Sequence, residues 1–79
     1  MVGNNDTSNM TAELLTAQPG FLFHTDVHVE DGRNVIVVTV HLCEMDVRVI
    51  DFFLAMAMKH NALMTVSTNV DHYFLFIFE

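Results

Sequence analysis

Five histidines, one cysteine and ten carboxylates are the residues of this 79-residue chain whose chemistry is worth weighing. If two strands pair about Asp31-Gly32, His24, Asp26, His28 and His41 share one face. His24 and His41 are then diagonal neighbours, close enough to share a metal ion. Zinc sites use characteristic ligand spacings, however, and Cys43 has no second cysteine to join it. A small His-dependent metal- or ligand-binding protein is therefore an alternative reading and not the main one. Cys43 with a histidine is formally a nucleophile and its base. Glu44 and Asp46 stand beside it, and negative neighbours disfavour a thiolate. A small buried residue of a reducing compartment is expected instead. Gly3, Gly20 and Gly32 are isolated, so no phosphate-cradling loop is formed. Asp26 and Asp51 show no pairing. No catalytic residues, no cofactor and no metal ligands are expected, and the chain reads as a binding protein, not an enzyme.

Charge is more informative. Ten Asp and Glu oppose three Lys and Arg, for a net charge of −7. Direct nucleic-acid binding is disfavoured, because phosphate contacts need cations. Acidity of this degree keeps an apolar chain soluble. It also suits a surface that imitates a phosphate backbone and occupies a basic groove.

The elements that position these groups follow from periodicity. Residues 46–60 read as a helix: the run Leu54–Lys59 is rich in helix formers. Glu44 precedes it and Asp46 opens its first turn, Lys59 and His60 end it, an order that complements the helix dipole. Asn61 suits a left-handed stop. At about 100° per residue, Arg48, Asp51, Ala55 and Lys59 form a narrow polar stripe. Val49, Ile50, Phe53, Leu54 and Ala57 face the other way, with Phe52 and Met56 on one flank and Val47 and Met58 on the other. The apolar arc spans roughly 240°, more than one sheet can cover. Phe21–Glu30 and Arg33–Leu42 alternate on either side of Asp31-Gly32, a strong type I′ hairpin signal. The register then pairs Val27 with Ile36 and Thr25 with Val38 on one face, and His28 with Val35 and Asp26 with Val37 on the other. Leu63–Ser67 reads as a strand, 68–71 as a turn, and His72–Phe78 as a strand apolar on both faces and hence central. Residues 11–17 suit a short helix with Met10, Leu14 and Leu15 on one side, ended by Pro19-Gly20.

The expected fold is α+β: ββαββ, a four-stranded antiparallel sheet of order 1-2-4-3 with the long helix on one face and a short N-terminal helix optional. Residues 1–9 are expected to form a disordered tail and 10–79 a single domain. That topology gathers Glu44, Asp46 and Asp71 at one pole, with Arg48 as the nearby cation. Glu30 and Asp31 lie at the other pole, offset by Arg33, Lys59 and His60. The first pole is the expected partner-binding surface. The chain is 52% hydrophobic, yet a domain of this size buries only ~60% of its unfolded surface. Self-association is expected on that ground, near Val37, Phe52 and Met56. The longest apolar run is the seven residues from Phe52 to Met58, too short to span a membrane. Without an N-terminal signal pattern, a cytoplasmic protein is expected, in a host cell's cytoplasm if the chain is viral.

In length, acidity, lack of enzyme motifs and sheet-plus-helix plan, the chain resembles the small acidic proteins that phages carry against host defences, anti-CRISPR proteins in particular. The resemblance lies in the overall profile and not in a motif. It implies a stoichiometric inhibitor that binds a basic host protein or ribonucleoprotein complex and blocks its nucleic-acid site. The alternative is a homodimeric structural or assembly protein with no inhibitory role.

Overall fold

The computed structural model describes residues 7–79, with the backbone alone at Thr7, Asn69 and Val70. Asp31 and Gly32 both take positive φ, 52° and 77°, as a type I′ turn requires. They join β1 (His24–Glu30) to β2 (Arg33–His41). The register is the expected one: Val27 pairs with Ile36, Thr25 with Val38, Asp26 with Val37 and His28 with Val35. β1 starts at His24, so Phe21 and Phe23 lie outside the strand and pack inward as aromatic cover, with Leu22 between them exposed.

A short 3-10 turn, Leu42–Glu44, leads into α2 (Val47–Lys59). Asp46 caps α2: its Oδ1 accepts from Arg48 N at 2.8 Å and Val49 N at 3.3 Å, satisfying two of the donors a helix start leaves open. The far end closes as a Schellman motif. Asn61 takes φ 56°, Ala62 N donates to Ala57 O at 2.8 Å and Asn61 N to Met58 O at 3.3 Å.

β3 (Met64–Val70) and β4 (Tyr73–Phe78) complete a four-stranded antiparallel sheet of order β1-β2-β4-β3. β3 runs beyond the expected Ser67, because a register shift between Ser67 and Val70 carries pairing on to Tyr73. The turn moves to Asp71-His72, with His72 at φ 66°. β4 lies between β2 and β3, which suits a strand apolar on both faces. α1 (Thr7–Thr16) is longer than expected. Thr7–Asn9 are helical and not tail, while the rest of the expected tail, 1–6, lies outside the described residues.

Both helices cover the same face of the sheet. Met10 and Leu14 of α1 join Val49, Phe53, Met56 and Ala57 of α2 against Ile36, Val38, Val40, Phe76 and Phe78 in one core. Phe53 is its centre, with ring centroids 4.9 Å from Phe76, 5.5 Å from Phe23 and 5.2 Å from Phe52. The presence of α1 decides which part of the wide α2 arc is buried. The flank carrying Phe52 and Met56 turns towards α1, so Met56 is 5% exposed. The opposite flank is left open, with Ile50 and Leu54 each 44% exposed, against the expectation that both face the core. Leu15 likewise points outward, because Met10 and Leu14 alone make the inner face of α1. Among the described residues no helix is long and apolar enough to cross a membrane.

Candidate functional site

The pole of Glu44, Asp46 and Asp71 assembles as the topology requires. Leu42 N donates to His72 O at 2.7 Å, tying the β3–β4 turn that carries Asp71 to the 3-10 turn that carries Glu44. Asp46 follows directly as the α2 cap. The three carboxylates differ in how far they are committed. Asp46 Oδ2 accepts from Arg48 Nε at 3.2 Å and Nη2 at 2.9 Å. These hydrogen bonds hold the Asp46 carboxyl below its ordinary range, and its backbone bonds to Arg48 and Val49 add to the effect. The Arg48 guanidinium is raised in turn. Glu44 Oε1 accepts from Leu22 N at 3.3 Å and keeps its second oxygen for other donors. Asp71 is exposed at the turn. The pole therefore presents Asp71 and part of Glu44 outward, while Asp46 mainly builds the helix end.

The opposite pole is not compensated as expected. Arg33 Nη2 donates to Glu79 Oε1 at 3.1 Å, while Lys59 Nζ and His60 Nε2 donate to Glu13 at 3.0 Å and 2.9 Å. The cations thus serve the chain end and the α1–α2 contact, which leaves Glu30 and Asp31 exposed without them. With Arg48 on Asp46, all three Lys and Arg of the chain are engaged within the fold. Among the described residues, Asp26, Glu30, Asp31, Glu44, Asp51 and Asp71 make no ion pair with Lys or Arg. The unbalanced charge is of one sign and spread over both poles.

His24 and His41 line one shallow pocket, as neighbours on a face should, but among the described residues they gather no third ligand. His24 Nε2 bonds to Asp26 at 3.3 Å. His41 stacks on His72, rings 10° from parallel and centroids 6.3 Å apart, and meets Tyr73 edge-on at 5.1 Å. Among the described residues no group of three His, Cys, Asp or Glu could hold a metal ion. Cys43 is exposed and not buried, because the 3-10 turn breaks the strand alternation just before it. His41 Nδ1 accepts from Cys43 N at 3.1 Å and lies 3.1 Å from Sγ. This small cluster closes the end of β2 locally.

The three residues expected at a self-contact do not share a surface. Phe52 and Met56 lie in the helical layer on the α1 side, Phe52 edge-on to Phe21 at 5.6 Å. Val37 lies on the other face of the sheet, where it pairs with Asp26 and Ile77. Two separate apolar surfaces stay open instead. One is the outer flank of α2, where Val47, Ile50, Leu54 and Met58 are 70%, 44%, 44% and 74% exposed. The other is the uncovered sheet face. The helical spacing of the first was visible in the sequence; which flank stays open depends on α1.

Compared with known proteins, the chain matches no family model, and neither the curated proteins nor the solved structures give a match.

Proposed function

We propose that the chain is a protein-binding module that works by occupancy: its acidic surface fills a basic, nucleic-acid-binding groove of another protein or ribonucleoprotein. The observation that carries this reading is the commitment of every Lys and Arg to an internal carboxylate partner. The three cations stay at the surface but each is matched by its own carboxylate, so an approaching partner meets an excess of negative charge, which a phosphate-binding groove is built to receive. Glu44 and Asp71 are the presenting groups at the first pole, and Asp46 supports them by starting α2. The resemblance to phage anti-defence proteins points to a CRISPR-type complex as the class of target, with inhibition by stoichiometric blockade.

The experiment is capture followed by competition. The chain is immobilised through its N-terminus and exposed to lysate from cells that express a CRISPR-type complex. The expected result is retention of that complex, with release by added duplex DNA and by raising salt from 0.1 M to 1 M. Over that range the Debye length falls from ~10 Å to ~3 Å. Retention that duplex DNA and salt leave unchanged overturns the reading, as does capture of nothing but further copies of the chain.

A further inference from the structure

The sheet has a second face that neither helix covers, and its composition is graded from centre to edge. On the inner strands β2 and β4 it presents half-buried Val37 and Thr39 beside Leu75, Ile77 and the more exposed Tyr73, while Val35 on the same face is already buried, 4% exposed. On the outer strands it presents His24, Asp26 and His28 from β1 and Thr65 and Ser67 from β3. Solvated antiparallel sheets ordinarily alternate to polar residues on the wet side. Here Val35, Val37, Leu75, Ile77 and Tyr73 make an apolar centre that includes Thr39, with Arg33 and His41 at the two ends of β2 and the other polar residues on the outer strands. An apolar centre with a tyrosine inside a polar rim is the anatomy of a protein–protein interface.

We propose that a second copy of this chain covers this face, sheet against sheet, about a two-fold axis that runs along the strands. Two identical faces match in area and in the position of their apolar centres, and the charge of the rim selects the axis. The rim on β1 carries Asp26 with two histidines, whereas Thr65 and Ser67 of the β3 rim carry no charge. An axis along the strands lays β1 of each copy over β3 of the other. Asp26 then faces the second copy's Thr65, and the two Asp26 carboxylates lie at opposite edges. Asp26, Val37, Ile77 and Thr65 form one straight row across the sheet, so Val37 meets the second copy's Ile77 in the same step. An axis across the strands would stack β1 on β1 and bring the acidic groups together. Four strands ~4.8 Å apart, each about six residues of ~3.3 Å, give a patch of roughly 20 by 20 Å. With side-chain relief, two such faces bury on the order of 1,000 Å², the lower end for a specific contact. A dimer of micromolar affinity is the corresponding expectation.

This dimer is independent of the acidic-groove reading and responds oppositely to salt. Two copies of charge −7 repel, so screening strengthens an apolar self-contact while it weakens an acidic-to-basic one. Sedimentation at increasing concentration should show the mass rise from 9.0 kDa to twice that value, at lower concentration in 0.5 M salt. Val37→Lys should weaken dimerisation by roughly a hundredfold or more, with circular dichroism unchanged because the helical layer is on the other side. Leu54→Lys, on the open flank of α2, should leave it unaltered. In a Cys43→Ser background, a chain with Asp26→Cys mixed with one carrying Thr65→Cys should be joined by a short bis-maleimide, and neither alone should be. A monomer at all concentrations, a dimer that survives Val37→Lys, or a dimer lost with Leu54→Lys overturns the proposal. Cross-linking of Asp26→Cys chains to one another overturns the axis.

Discussion

Lys59 Nζ lies 3.0 Å from both carboxylate oxygens of Glu13, forty-six residues away in sequence. His60 Nε2 donates to the same carboxylate at 2.9 Å. This contact holds the end of α2 to α1 and places both helices on one face of the sheet. The hydrogen bonds from Lys59 and then His60 hold the Glu13 carboxyl below its ordinary 4.5, and Asp46 is lowered likewise by Arg48. A carboxyl depressed in the folded state stabilises fully above its unfolded value and loses that contribution as pH falls through the folded one. Stability from these two groups should therefore hold at neutral pH and decline below about pH 4.5. Thermal melts from pH 7 to pH 2.5 check this. The Glu13→Gln variant should show a shallower decline, and salt should reduce the difference, because both pairs are at the surface.

Phe53 should be the least replaceable residue. It is fully buried and meets Phe21, Phe23, Phe52, Phe76 and Phe78, so both helices' packing passes through it. Phe53→Ala should cost about 3–5 kcal/mol. A domain of this size has in all about 4–12 kcal/mol. Urea titration should show a largely unfolded or barely stable protein, while Phe53→Leu retains a cooperative transition.

Gly32 separates conformational cost from steric cost. Its φ is +77°, yet an added Cβ would meet nothing within 4 Å. Gly32→Ala should therefore lose about 1–2 kcal/mol from the left-handed backbone alone. The register from Glu30↔Arg33 outward should survive, which amide chemical shifts across the hairpin can verify. Gly32→Asn, better tolerated at positive φ, should recover part of the loss.

The hairpin and α2 were legible because their signals are local. Asp31-Gly32 dictates a turn, alternation dictates the face, and Asp46 and Asn61 carry cap and stop chemistry in their own side chains. The strand order followed because His72–Phe78 is apolar on both faces and must be central. The side on which α1 docks was not legible, since Met10 and Leu14 require an apolar partner without naming which. That one choice decides the burial of Met56, the exposure of Ile50 and Leu54, the partner of Lys59 and the opening of the second sheet face. The membership of the Glu44, Asp46 and Asp71 pole followed from topology alone. The unequal commitment of its members did not, because it turns on Arg48 reaching back two residues to Asp46.

That inequality fixes how the acidic pole is best tested. Reversing Asp46 would remove the two backbone bonds that start α2, so a loss of binding would be confounded with a loss of fold. Glu44→Lys with Asp71→Lys spares the cap and changes the charge of the pole by four units, since each substitution replaces −1 with +1. The double variant should melt close to the parent: Asp71 is exposed in a turn, and Glu44 contributes a single long hydrogen bond to Leu22. If the pole guides a basic partner, the variant should associate with it more slowly, by about tenfold or more at low ionic strength. The gap between variant and parent should narrow as salt approaches 1 M, where the Debye length is ~3 Å. Association rates by surface plasmon resonance over a salt series provide the measurement. A charge-neutral pair, Glu44→Gln with Asp71→Asn, should fall between the two, because it removes attraction without adding repulsion. Equal rates for all three proteins would locate binding elsewhere, on the open flank formed by Val47, Ile50, Leu54 and Met58. There Leu54→Lys should reduce affinity through faster dissociation, with little dependence on salt.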